Sequence, residues 1–559
     1  MSRGGSGAGG RPRRLPAFAL VAVLSWLVGY PLLITLLEAL GIPGGGTLQH
    51  WAEFVRRPDE WLALWRSLWI SLASVVLAAA IGVPLAFIFE RTDFPGRRLL
   101  GALVALPVAL PPLVGVIAFL FLYGESGFVT RGLQALLGLH EAPWRLHGAG
   151  AILLVHAYSM YVYFYLFVRA GLARLDASMS EAAQILGAGR GRTFWRVTVP
   201  LLGPALGGAA LLAFMTSLAS FSAPYIFGGG FRVMTTQIVA SKLNGQVAMA
   251  QVETVTLAVL ALAGLWALLR FDRGRIAVVG GVRGLAPARR RLASRWARWG
   301  AGAAGWGLAL VLLLPHLTLV VISFVPRATW TVELVPPAWD LSNYRELLTT
   351  PERLRPVLNS LWMAAAATAA AVALGLATAR ASLAHRGRLG RLLEMLVAVP
   401  WAVPGTVFAI SLATAFSVDA PLAGRFVLVG TPWILPLAYL VRSLPLTGRG
   451  ALAGLRQLDR SLEEAAASLG AGRWRTLVRV TVPMLRPALA AAASLAFITA
   501  MGDFVTSIVL YTYDTRPISI EILSSLRLQD TGIAAVYGVL LMVLSAAAFL
   551  LWGREERAG

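Results

Sequence analysis

Ionisable side chains inside apolar sequence are the first place to look for chemistry, because a charge in hydrocarbon is costly unless it is paired or used. In this 559-residue chain the best candidate is Asp503, in "ITAMGDFVTS". A shift of 283 residues aligns it with Ser220 in "LASFSAPYIFGGG". Ser220, Ser222, Asp503, Thr506 and Ser507 would together line a polar path at the meeting of two halves. The alternative for Asp503 is a place at the outer mouth, facing water. Glu394 and Arg442 lie near the ends of apolar runs, where a long side chain reaches the interface by snorkelling.

Other chemistries find no residues to carry them. The chain has no cysteine, which excludes disulfides, thiolate metal sites and cysteine nucleophiles. The histidines (His50, His140, His147, His156, His316, His385) follow no ligand spacing and read as packing or interfacial residues, so no metal site is expected. A phosphate-binding loop of the GxxxxGK[ST] kind needs a lysine after a Gly-rich approach. The single lysine, Lys242 in "VASKLNGQ", has no such approach, so any nucleotide site belongs to another polypeptide. No catalytic constellation and no cofactor site is expected, and the chain reads as a non-enzyme.

The elements that must position these residues are apolar helices. The chain is 57% hydrophobic and 14% charged, with mean hydropathy +0.71, a membrane composition. Twelve hydrophobic spans are expected near 15–40, 63–89, 99–123, 148–171, 201–223, 252–269, 301–325, 358–379, 392–416, 431–448, 485–510 and 531–552. The first follows "RGGSGAGGRPRR" and lacks a cleavage site of small residues, so it is expected to be retained. With both termini in the cytoplasm, the cytoplasmic segments carry several-fold more Arg and Lys than Asp and Glu, while the outer loops are balanced. The net charge of +22 is therefore a topology signal and a contact for anionic lipid, and no nucleic-acid partner is expected.

The linker "RFDRGRIAVVGGVRGLAPARRRLASRWARWG" divides the chain into 1–285, with the N-terminus and part of the linker, and 286–559. Each half holds six spans. Six is even, so the halves enter from the same side as parallel repeats. The expected fold is an all-α integral membrane protein of about twelve transmembrane helices. Prolines in "LPVALPPLVG" and "VPWAVPGTVF" are expected to kink the third and ninth spans.

The sharpest repeat is polar. Residues 176–206 and 459–489 share 21 identities in 31 positions, between the fourth and fifth spans of each half. Each copy opens with Ser-x-x-Glu, Ser178 to Glu181 and Ser461 to Glu464, the spacing of a capping box. Gly187 and Gly470 stand where a helix end needs a left-handed residue. Spaced arginines follow, and Pro200 and Pro483 suit the first turn of the next span. A helix of about two turns is marginal alone in water. Two matched copies imply a docking helix presented twice, to a partner that is itself paired.

Glu-Ala-Ala, three residues, Gly, nine residues, then apolar-x-apolar-Pro resembles the cytoplasmic signature of ABC importer permeases. Both copies fit: Glu181, Ala182, Ala183, Gly187, Pro200 and Glu464, Ala465, Ala466, Gly470, Pro483. Val199 and Val482 stand where that family usually has Leu, a mild departure. The resemblance implies a bacterial inner-membrane permease, two copies of a cytoplasmic ATPase subunit seated on the coupling helices, and a periplasmic or extracellular substrate-binding protein. The outer loop "SFVPRATWTVELVPPAWDLSNYREL" is a candidate meeting place for that binding protein. The fused layout and "DFVTSIVLYTYDTRPISIEILSSLRLQDTGIAAVYGVLL" are similar to iron(III) transport permeases, with thiamine and aminophosphonate permeases close competitors. The rival of another class is a six-plus-six secondary transporter driven by an ion gradient. It predicts embedded carboxylates for coupling and a loop signature after the second span instead of the fourth.

Overall fold

The computed structural model describes residues 14–42, 48–109, 111–276, 290–291, 294–326, 336, 338–385, 387–417 and 427–553. The expected boundary at 285/286 lies outside these, as do 327–335 and 337 of the proline-rich outer loop.

In hydrocarbon every backbone N–H and C=O needs a partner from its own segment, so apolar stretches of this length become helices. Among the described residues, nine helices are long and apolar enough to cross a membrane, or eleven if each of two bent pairs is one span. These account for every expected span except the tenth. The tenth is the 24-residue helix Ile434–Gln457, which carries Arg442, Arg449 and Arg456 and is less apolar than the rest. The one described pairing outside helices joins Thr92–Asp93 to Arg290–Arg291.

The halves repeat element by element. The second and eighth spans, Pro58–Arg91 and Pro351–Ala384, are each 34 residues with Pro in the first turn. At 1.5 Å per residue each is about 50 Å long, more than a bilayer core needs. Each packs along the fourth span of its half, Gly148–Arg174 or Ile434–Gln457. The crossing is tight at the same repeat position. A Cβ on Gly82 would lie 2.3 Å from the Tyr161 carbonyl oxygen, and one on Gly375 would lie 2.8 Å from the Gly448 nitrogen. Only glycine lets the backbones meet there.

The first span of each half packs on the other half. Thr35 of the first span donates to Ser411 Oγ in the ninth at 2.9 Å. The seventh span, Arg295–Ser323, lies against Pro112–Tyr123, and its Leu312 carbonyl accepts from Tyr158 of the fourth at 2.6 Å. A buried apolar cluster therefore runs across both halves, from Val114 and Phe121 to Phe416, Met501 and Tyr537.

Among the described residues, four spans are broken. The third has Arg97–Ala105, a 3₁₀ turn over Leu106–Ala109, and Pro112–Tyr123. The ninth turns through 110° between Arg388–Ala402 and Gly405–Ala415. Proline kinks were expected at both places. The fifth span stops at Leu218 and resumes as the short helix Ser222–Phe227. The eleventh stops at Met501 and resumes as Val505–Leu510.

Candidate coupling loops and polar breaks

The loop after the fourth span folds the same way twice. Ala177–Ile185 and Arg460–Ser468 are nine-residue helices. The sequence expectation of Ser178 and Ser461 as caps is corrected here. Asp176 and Asp459, two residues earlier, hold the extended cap conformation and accept from the Ser178 and Ser461 N–H groups at 3.0 Å. That backbone bond holds the Asp459 carboxyl below the usual carboxylate range.

Both helices end on a glycine with φ +79°, Gly187 and Gly470. Beyond each, the Ala188 and Ala471 N–H groups reach back to the Ala183 and Ala466 carbonyls at 3.0 Å, closing the last turn. The next helical turn, Arg190–Thr193 or Arg473–Thr476, widens to a π-turn over Phe194–Thr198 or Leu477–Thr481 before Pro200 or Pro483. Proline offers no N–H and its ring crowds the carbonyl four residues back, which a widened turn relieves.

The two loops present an uncovered surface. Glu181, Ala182, Glu464 and Ala465 are exposed, and Ala183 and Ala466 half-buried. Beside them Ile185 is 85%, Leu186 87% and Leu469 89% exposed. Among the described residues, the second loop has one tie that the first lacks. Glu463, where the first copy has Ser180, accepts from Thr481 at 2.6 Å and lies 3.7 Å from Arg380 at the end of the eighth span.

The path candidates fall into two clusters. Asp503 is buried, so its carboxylate faces other side chains and not water. Its Oδ1 accepts from the Thr506 and Ser507 N–H groups at 2.8 and 3.3 Å, so it caps the short helix after the break. Its Oδ2 accepts from Thr506 Oγ1 at 3.1 Å and forms an ion pair with Arg442. Arg442 therefore does not snorkel. Its guanidinium lies on the break of the ninth span, 2.8 Å from where a Gly405 Cβ would be. Tyr439 and Ser507 share a bond of 2.6 Å beside it.

Ser220 is held elsewhere. Its hydroxyl meets His156 Nε2 at 2.9 Å, and His156 Nδ1 meets Ser74 at 2.9 and Ser217 at 3.1 Å. His156 is the repeat mate of Tyr439, so in each half the fourth span binds the break of the following span through different chemistry. Ser222 is buried next to this break, with no hydrogen bond to the Asp503 cluster among the described residues. What brings the two breaks together is aromatic. Phe221 and Phe504, repeat mates, have ring centroids 5.5 Å apart. The Gly502 backbone also lies close to the break of the third span: a Cβ on Gly502 would stand 2.6 Å from the Pro111 Cβ.

The family of the binding-protein-dependent transport system inner membrane component matches residues 82–276 and 371–554, once in each half and around one copy of the repeated polar loop each time. The chain belongs to that family. A probable ABC transporter permease protein of Sinorhizobium fredii is 28% identical over 539 residues, 95% of this chain and 94% of that one. A ferric transport system permease protein of Actinobacillus pleuropneumoniae is 28% identical over 503 residues, 88% of this chain and 70% of that one. A molybdenum transport system permease protein of Escherichia coli is 36% identical over 172 residues, 30% of this chain and 72% of that one. This chain is thus a multi-pass inner-membrane ABC importer permease in the fused two-half form, and its relatives are transport permeases, not enzymes. The ion-gradient alternative falls with that membership.

Proposed function

We propose that the helices Ala177–Ile185 and Arg460–Ser468 each seat in a separate cytoplasmic ATPase subunit, two copies per permease. Glu181 and Glu464 anchor the contact, Ala182, Ala183, Ala465 and Ala466 let the partner approach, and Gly187 and Gly470 make the turn. Pro200 and Pro483 start the spans that receive the push. The observation that carries this reading is the paired presentation: the same cap, left-handed glycine and uncovered apolar side chains occur twice. Closure of the two ATPases on ATP tilts one half against the other at the Phe221–Phe504 contact. Both termini face the cytoplasm, and a periplasmic binding protein delivers substrate to the opposite end. The halves divide at 285/286.

The Asp503–Arg442–Thr506–Ser507 cluster lies at the break of the eleventh span and forms part of the path, with Ser220 and Ser222 on the other half. Iron(III) is the preferred substrate, with thiamine or an aminophosphonate as the alternative. Ferric-transport relatives that span most of the chain favour iron. The test is uptake into proteoliposomes holding the permease and its ATPase. Radiolabelled iron should enter only with ATP inside and the binding protein outside. Uptake that needs neither, or that follows an imposed proton or sodium gradient, refutes the proposal.

A further inference from the structure

At the end of the first half away from the coupling loops, two glutamates are buried together. Glu60, in the first turn of the second span, is 1% exposed, and Glu253, in the sixth span Val247–Ile276, is 0% exposed. Gln237 donates to Glu60 Oε1 at 3.1 Å and Ser241 to Glu253 Oε1 at 2.7 Å. Gln237 and Ser241 stand one helical turn apart on Met234–Leu243, so the same helix ties down both carboxylates. Their remaining oxygens, Glu60 Oε2 and Glu253 Oε2, are buried with no donor among the described residues. Two ionised carboxylates in this setting repel and lack the hydration that would support them.

The second half shows what this place requires. Shifts of 293 and 284 residues superpose Glu60 on Arg353, Gln237 on Glu521, Gln246 on Asp530 and Glu253 on Tyr537. The register is fixed by structure: Gly245 and Gln529, mates at 284, both have positive φ, and the Met234 and Ile518 N–H groups donate to Ser67 and Ser360, mates at 293. There the positive charge is built in. Arg353 meets Asp530 at 2.9, Glu521 at 3.4 and Glu346 at 3.5 Å, and Tyr537 donates to the Arg353 carbonyl. Among the described residues, the first half has the acceptors and no guanidinium between them. Its nearest arginine, Arg57, is turned to Glu53 and to Gln246 Oε1 at 3.4 Å.

We propose that Glu60 and Glu253, with Gln237 and Ser241, bind one exchangeable cation that does for the first half what the Arg353 guanidinium does for the second. The atoms left without a partner, Glu60 Oε2 and Glu253 Oε2, are both oxygens, which suits a hard metal ion such as Ca²⁺ or a proton shared between the carboxylates. Bound, the cation ties the second span to the sixth span and to the helix Met234–Leu243. Unbound, the carboxylates repel and that end of the first half loosens, while the second half stays fastened.

Other charged or titratable side chains stand on the elements packed here. They are Glu38 in the first span, His50, Glu53 and Arg56 in the helix Gln49–Arg56, Arg57 and Asp59 beside Glu60, and Lys242 beside Ser241. The test therefore compares the wild type with Glu60→Gln and Glu253→Gln, which leave all of these in place. Full-length permease in complex with its ATPase is dialysed against radioactive Ca²⁺ near neutral pH. Its infrared spectrum is then followed as the pH is raised in chelator. One Ca²⁺ per permease, weakened at least tenfold in both variants, assigns a metal. No Ca²⁺ but a protonated-carboxyl band that vanishes on raising the pH, and is lost in Glu253→Gln, assigns a proton. Absence of both signals in the wild type, or signals unchanged in both variants, overturns the proposal. Glu60→Arg supplies a check on folding: with the charge supplied internally, it should retain the complex and lose dependence on either cation.

Discussion

Asp503→Asn perturbs the polar break with least collateral change. The amide keeps an oxygen for the Thr506 and Ser507 N–H groups, so the helix cap survives and only the charge facing Arg442 is lost. Removing one partner of a buried ion pair costs about 3–5 kcal/mol. The Arg442 side chain is 27% exposed, which lets water recover part of the loss. The expected cost of Asp503→Asn is therefore about 2–3 kcal/mol. Asp503→Ala also removes the cap, adding about 1 kcal/mol. Combining Asp503→Asn with Arg442→Gln should cost less than the sum of the two single changes by about 1–2 kcal/mol, because the second removes the stranded charge. Denaturant unfolding of the detergent-solubilised ATPase complex measures all four corners of the cycle, provided the slope stays constant. An Asp503→Asn variant within about 0.5 kcal/mol of wild type, the size of an ordinary surface change, would refute the pairing argument. Strict additivity in the cycle would do the same.

Three further outcomes follow from the geometry. Gly82→Ala and Gly375→Ala each force a methyl against backbone at the crossing of two spans. Each should lower stability by about 1–3 kcal/mol, read in the same unfolding assay, and an unchanged midpoint would contradict the close approach. Gly187→Ala and Gly470→Ala place a side chain at φ +79° and should cost about 1 kcal/mol each. That loss should appear as faster amide exchange in Ala177–Ile185 and Arg460–Ser468 and weaker ATPase binding, with the spans unaffected. The Asp459 carboxyl, held low by the Ser461 N–H, stabilises its helix above the ordinary carboxylate range and loses that effect as pH falls through its own lowered value. Exchange at the Ser461 amide, corrected for intrinsic rate, should thus speed up in acid in the wild type and not in Asp459→Asn. Equal acid response in both would show that the cap does not depend on the charge.

Much of this architecture is legible in the sequence because the bilayer imposes one solution on long apolar runs. The loop repeat is legible for a related reason: its cap, glycine and proline each have a local backbone role. Ser178 and Ser461 mislead because aspartate and serine are both good caps, and only the backbone angles choose between residues two positions apart. The Arg442–Asp503 pair joins residues 61 apart on different spans, and Arg442 near a span end looks like a snorkelling side chain until the break at Gly405 is seen to lie over it. The Glu60–Glu253 pair was hidden by register. Insertions move the repeat shift from 293 to 283 and then to 284, so no single offset sets both Glu60 beside Arg353 and Glu253 beside Tyr537.

The proposed docking of two ATPases through Glu181 and Glu464 can be weighed directly. The direct measurement is the mass of the complex after co-expression with the ATPase, for wild type and for Glu181→Arg with Glu464→Arg. One permease to two ATPases is expected, with the double reversal losing ATPase while the permease still elutes as a folded species. An intact complex in the double variant, or a wild-type permease that carries a single ATPase, would contradict it.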